Sequence, residues 1–391
     1  MNSTIRAWIL DSVVAGSLGL ALITVFAMDR GKPAPPPGPA VEVKTVDETP
    51  PAPPLRLAVT PPEYDDMGRL LKQLGTGYHH QEIELDDLRD PKRLAGFDVV
   101  FLTCGGAPES WTTGKEFGAG SRPGTVRVEM RQDVQDELKQ SLRDFVKKGG
   151  TLYVSDLRLL ILRNAFPEIF PVERFTRGAK QSIVARVVDS GLRDAVGREL
   201  PLNFDQPDWF PAILRGPKSI TYLEGSYRGE DGELATAPLL VKVPFGEGTI
   251  IFTSFHNEKA NGEKEIQLLR YLVLNAVTAK EVEKVSKTLV SSGFSPQKQN
   301  LLSATLGDPS VTQTYTQKEA GPLRFVLGFA NHGARLRLSV KGPNSPAKVQ
   351  TGTSTFTIDL TDAPAGEWTY TVTAEKVPYP NFPFTLTIGG K

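Results

Sequence analysis

A single cysteine, Cys104, stands among 391 residues, and only four histidines accompany it. One thiol excludes an intrachain disulfide framework and a thiolate-rich metal centre, and four imidazoles leave little room for a histidine-based one. Neither sign of charge predominates. The 45 Lys and Arg balance 45 Asp and Glu, which argues against a protein that works through a basic field on nucleic acid. No motif implies a cofactor. What remains is length enough for two or three units with real cores, and one long apolar run.

That run, Ala7 to Met28, is interrupted only by Asp11 and small polar residues. About 20 apolar residues rising 1.5 Å each cross a hydrocarbon layer of roughly 30 Å. The segment reads as a single-pass anchor, or as a removable signal if Val25-Phe26-Ala27 marks a cleavage site. Asp11 sits near the start of the span, at interface depth. Pro33 to Pro54 follows as a stiff proline-rich spacer with almost nothing to bury. This arrangement predicts export of the folded part, tethered to a bacterial cell membrane or released as a secreted or periplasmic protein.

From Leu55 onward strand and helix signals alternate. Leu55 to Val59 is a β-type run, and Thr60 before Pro61-Pro62 suggests a cap for a helix reaching Leu74. Strands are expected at Glu82 to Leu85, Phe97 to Thr103, Thr151 to Val154 and within Gly246 to Phe255. The second of these, FDVVFLT, has the continuous apolar character of a strand buried on both faces. Val134 to Val146 has helical spacing and ends at Gly149-Gly150. A further helix is expected from Lys264 to Val277, with an extension toward Leu289 left open. Such alternation predicts a parallel sheet with right-handed crossovers.

The segments FDVVFLTCGG (97–106), FVKKGGTLYVSD (145–156) and GEGTIIFTSFHNE (246–258) resemble the class I glutamine amidotransferase-like fold in its ThuA-like branch. The resemblance spans roughly Leu55 to Ala279. It implies a flavodoxin-like α/β sheet with helices on both faces and a cysteine on a G-x-C-x-G elbow after a strand. Such an elbow exposes its nucleophile on a strained turn beside oxyanion donors. Here Ser155 and Asp156 stand at that position. Tyr153, Val154, Leu157 and Arg158 flank them where glycines are required, so the elbow is expected not to form and the nucleophile position to be vacant. Phe255-His256-Asn257-Glu258 resembles the family's His-x-Glu pair, in which the acid orients a general base. Cys104, at the end of a different strand, is either a small packed residue or a nucleophile for which His256 is the base.

Three further stretches carry candidate chemistry. His80, Glu82 and Glu84 share one face if they lie in a strand, which is possible for ligands but equally a solvated edge, and no metal site is assigned. An insertion from Glu109 to Glu129 carries Trp111 and follows the carboxyl end of a strand, where open α/β sheets bind ligands. Leu200 to Val243 is irregular, and its proline-broken stretch Asp205 to Pro211 reads as a loop over the sheet.

Beyond Gly293 the helix signals cease. Runs at 311–315, 324–329, 335–340, 353–360, 368–374 and 384–388 alternate as half-buried strands, which predicts a β-sandwich. Ala363 to Val372, with its Gly366-Glu367-Trp368-Thr369 turn, resembles the bacterial pre-peptidase C-terminal domain, implying an accessory role in an exported protein. Trp368 is either a core anchor or a carbohydrate platform. The expected organisation is an anchor or signal at 1–32, a linker at 33–54, an amidotransferase-like domain at 55–290 and a sandwich at 300–391. The expected function is non-catalytic binding or scaffolding at the envelope, toward an envelope protein or glycan. The alternatives are a hydrolase or transferase using Cys104 or Ser155 with His256 and Glu258, and a carbohydrate-binding protein using Trp111 or Trp368.

Overall fold

The computed structural model describes residues 55–116, 127–171, 175–256, 263–308, 310–330 and 333–391. The expected membrane span and spacer lie outside the described residues, among which no helix is long and apolar enough to cross a membrane.

The α/β region opens with β1 (Leu57–Val59), α1 (Met67–Leu74), β2 (His80–Glu82), α2 (Pro91–Leu94) and β3 (Val99–Leu102). A hairpin of β4 (Thr112–Glu116) and β5 (Arg127–Met130) precedes α3 (Gln132–Lys147), β6 (Thr151–Ser155) and α4 (Leu159–Ala165). Then come β7 (Gly178–Val187), α5 (Ser190–Val196), β8 (Glu199–Trp209), β9 (Ile220–Arg228), β10 (Leu234–Phe245) and β11 (Gly248–Thr253). Helices α6 (Glu263–Val277) and α7 (Ala279–Ser291) close the region.

One nine-stranded sheet runs β2-β1-β3-β6-β11-β10-β9-β7-β8. Its first five strands pair in parallel, and the remainder is antiparallel. The pleat sorts the apolar run of β3 between two cores. Val99 and Phe101 join Leu57, Tyr153, Ile251 and the α6 residues Leu268 and Leu272 on one face. Val100 and Leu102 join Leu152, Val154, Ile250 and the α3 residues Val134, Leu138 and Leu142 on the other. Helices therefore cover both faces, as the alternating pattern predicts.

Several boundaries depart from expectation for local reasons. Helix α1 starts only after Asp66, whose carboxylate accepts from the Arg69 N–H at 2.8 Å. Thr60 instead meets the Thr103 hydroxyl at 2.9 Å, tying together the ends of β1 and β3. The expected Lys264 to Leu289 extension is two helices, separated at Thr278, whose hydroxyl donates to the Leu274 carbonyl at 2.7 Å. Asp205 to Trp209, expected in a loop, ends the edge strand β8. An edge strand tolerates Pro207 because the missing N–H interrupts no interior ladder.

The carboxyl-terminal region contains β12 (Ser295–Ala304), β13 (Val311–Gln317), β14 (Gly321–Gly328) and β15 (Arg335–Lys341). It continues through β16 (Lys348–Gly352), β17 (Phe356–Ala363), β18 (Gly366–Lys376) and β19 (Phe382–Gly390). Two four-stranded sheets, β12-β19-β14-β17 and β13-β18-β15-β16, share a core that includes Phe325, Leu338, Trp368 and Phe384. Strands β12 and β16 carry little apolar alternation, and sequence patterning passes over both.

Asp98, just before β3, gathers Arg56 (Nε at 3.2 Å) and Lys280 of α7 (Nζ at 2.9 Å). Burial opposes its charge, but the hydrogen bonds from Arg56 and Lys280 hold its carboxyl down at about 2, below the ordinary 3.8. The depressed value means the stabilisation is complete above the unfolded pKa and is lost as pH falls through about 2. Discounted for solvent screening, Asp98→Asn should cost about 1–2 kcal/mol at neutral pH. Urea denaturation should show this difference at pH 7 and its disappearance toward pH 2.

Candidate functional site

Strands β6 and β11 are parallel neighbours with Ser155 opposite Thr253, and β3 flanks β6 on its other side. The residues that follow these strands therefore emerge along one carboxyl edge of the sheet, where open α/β folds form their crevices. Cys104, Asp156 and His256 meet there, each offering a donor atom, with all three atoms within 4.8 Å of one another.

The elbow after β6 does form, contrary to expectation, and Asp156 occupies it. Its φ is +38°, in a region that L-residues seldom adopt. Asp is among the few non-glycine residues that tolerate such a conformation. The flanking side chains do not obstruct the turn because the pleat and the following 3-10 turn (Asp156–Arg158) distribute them. Tyr153 and Val154 enter opposite cores, and Arg158 reaches back to the Thr103 carbonyl at 2.9 Å and also to the Gly106 carbonyl.

Asp156 is fully buried and His256 nearly so. His256 Nε2 lies 2.9 Å from Asp156 Oδ2, an ion-pair contact whose alignment falls short of a hydrogen bond. Asp156 Oδ1 accepts the Phe210 N–H at 2.7 Å, and Asp205 Oδ1 lies 3.8 Å from His256 Nδ1. Burial alone would pull the imidazole pKa down, but Asp156 and Cys104 together hold it up at about 11. The Asp156 contact favours the protonated imidazole, a poorer base while it holds that proton. Burial pushes the Cys104 thiol up, an effect that the His256 contact and the Leu157 amide only partly oppose. A thiol kept protonated is a weak nucleophile.

Beside this cluster, Gly105 and Gly106 carry the chain past Glu63 and Arg158. A Cβ at Gly105 would fall 2.2 Å from Glu63 Oε2 and 2.8 Å from Arg158 Nη2, so any larger residue would push the ends of those two side chains aside. The Gly106 N–H already donates to Glu63 Oε2 at 2.8 Å. Outward from these glycines lies a cleft of about 800 Å³. Leu157, Leu160, Ile161 and Phe170 supply its apolar surface, with Arg158 and Asn164 among its polar groups.

Sequence reasoning named Cys104 and His256, which the fold brings together. Ser155 is buried, and its hydroxyl donates to Asp65 Oδ2 at 2.7 Å. Glu258 lies outside the described residues. Trp111 is buried, with its indole N–H donating to Asp86 Oδ1 at 2.7 Å. Trp368 is likewise buried and donates to the Pro364 carbonyl at 3.1 Å, so neither ring offers a face to a ligand. Glu84 precedes a 3-10 turn (Leu85–Arg89), its N–H bonded to Asp87 Oδ2 at 3.1 Å. The sequence reading gave Asp205 and Glu63 no role at the site and set Asp156, with Ser155, at the elbow position without a role of its own. The one signal for Asp156 was its place directly after β6.

Removing the Asp156 carboxylate should leave an imidazolium and the Phe210 N–H without their partner. Asp156→Ala should destabilise the fold by roughly 3–5 kcal/mol, as loss of one member of a buried pair does. Asp156→Asn, which keeps an acceptor and tolerates the positive φ, should cost clearly less. Thermal and urea denaturation of both variants would check this order, and an alanine variant as stable as the parent would contradict it.

No family model matches the chain, and no curated protein matches it. Solved structures similar to it include a glutamine amidotransferase from Thermotoga maritima, 11% identical, covering 61% of this chain and 86% of that one at a TM-score of 0.31. A cytoplasmic protein from Salmonella typhimurium LT2 is 13% identical, covering 58% of this chain and 97% of that one at a TM-score of 0.34. A β-galactosidase from Bacillus circulans sp. alkalophilus is 12% identical, covering 81% of this chain but only 41% of that one at a TM-score of 0.32.

Proposed function

We propose that this chain is a non-catalytic binding or scaffold protein of a bacterial cell envelope, tethered by its amino-terminal segment or exported through it. Its α/β region is read as a degenerate glutamine amidotransferase-like domain of the ThuA-like branch, and its carboxyl-terminal sheets as a sandwich of the pre-peptidase C-terminal type. The observation that carries the non-catalytic reading is the elbow itself. Where a reactive group would stand, a carboxylate is held between the Phe210 N–H and His256. The neighbouring Gly106 amide is already taken by Glu63. The adjoining cleft, apolar with a few polar groups, has the character of a binding site.

A second reading, a thiol-dependent hydrolase or transferase, has one specific observation in its favour, the contact between Cys104 and His256. Its weakness is the burial of the Cys104 thiol, which pushes its pKa up and disfavours the thiolate.

Alkylation by iodoacetamide separates the two. In the binding protein, native Cys104 should react at least about tenfold more slowly than the unfolded chain, because the thiol is buried and protonated. Rapid labelling of native Cys104 that is lost in His256→Ala would favour the enzyme. Envelope residence is tested by fractionating cells that express the full chain or a form lacking residues 1–32. The full chain should follow the envelope and the shortened form should remain in the cytosol.

A further inference from the structure

We infer that Cys104, Asp156 and His256 form a binding site for one zinc-class divalent cation. Three residues far apart in sequence, from the ends of three adjacent strands, point a sulfur, a carboxylate oxygen and an imidazole nitrogen at a common volume. Two of these atoms, Asp156 Oδ2 and His256 Nε2, are buried without a hydrogen-bond partner. They face each other at 2.9 Å as an ion pair short of hydrogen-bond alignment, and a cation bound between them would take up the lone pairs of both. Once the cation displaces the protons of Cys104 and His256, thiolate, imidazole and carboxylate together are a zinc donor set, whereas magnesium and calcium take oxygens alone.

The geometry needs only small adjustments. Bonds of 2.0–2.3 Å in a tetrahedron put donors about 3.4 Å apart. The Asp156–His256 separation of 2.9 Å would open slightly, and all three donor atoms already lie within 4.8 Å of one another. The supporting shell is already in place. Phe210 N–H holds Asp156 Oδ1 and thereby turns Oδ2 inward, while Asp205 sits beside His256 Nδ1 and leaves Nε2 for the metal. Three protein donors leave a fourth position for water.

The inference goes beyond the binding reading and does not depend on it, since metal content is measured without any activity. The full chain, stripped with chelator and dialysed, is titrated with Co²⁺. One equivalent should bind with a thiolate-to-cobalt absorption in the near ultraviolet, and Zn²⁺ should displace it. Cys104→Ser should abolish that absorption. Asp205→Asn, which leaves all three donors intact, should weaken Co²⁺ binding roughly ten- to a hundredfold, with circular dichroism confirming that both variants are folded. Absence of stoichiometric binding, or the same absorption in Cys104→Ser, would overturn the inference. Metal binding together with turnover of a substrate would overturn the non-catalytic reading and leave the cation site standing.

Discussion

Ser155 of β6 faces Thr253 of β11 in a parallel ladder, and the composition of the site follows from that register. Parallel neighbours end on the same edge, so the residues just past each strand are forced together however distant they are in sequence. Asp156 and His256 meet for this reason, and Cys104 joins them because β3 lies on the other side of β6. A slip of one residue would turn alternate side chains to the opposite face. It would also break the two cores that separate Tyr153 and Ile251 from Leu152, Val154 and Ile250. The apolar layers thus fix the register, and the register places the polar cluster.

Burying a carboxylate at such an edge costs several kcal/mol unless it is paired and hydrogen-bonded. The surrounding chain supplies that compensation from outside the parallel strands. Phe210, directly after the edge strand β8, gives its N–H to Asp156, and Asp205 within β8 stands beside His256. The antiparallel half of the sheet therefore contributes to the site. On the other side, Glu63 and Arg158 close the Gly105-Gly106 turn, one taking its N–H and the other its carbonyl. The bend after β6 and the Gly105-Gly106 turn are thus both internally satisfied.

The apolar strands β3 and β6, the α3 periodicity and the alternation in β14, β15 and β18 were legible because each is a local hydrophobic pattern with one solution. The antiparallel extension was not, in part because β8 and β10 carry prolines. Pro207 sits in an edge strand and Pro238 beside the register shift in β10. Both positions spare the ladder an N–H, a property of location that no local pattern reveals. The elbow was misjudged for a related reason. Crowding was inferred from side-chain size at Tyr153, Leu157 and Arg158, whereas their directions, set by the pleat and the turn after it, keep the bend open.

By itself, the sequence determined the alternating α/β order, the β-rich carboxyl-terminal region and the candidacy of Cys104 and His256, since these rest on hydrophobic period and residue chemistry. Only the tertiary structure decided that Asp156 holds the elbow, that Phe210 and Asp205 support it, and that Glu63 fills the glycine amide. Those contacts join positions as far apart as Asp156 and Phe210, and Glu63 and Gly106. They depend on strand order and register, which hydrophobic period leaves undetermined until the sheet is assembled.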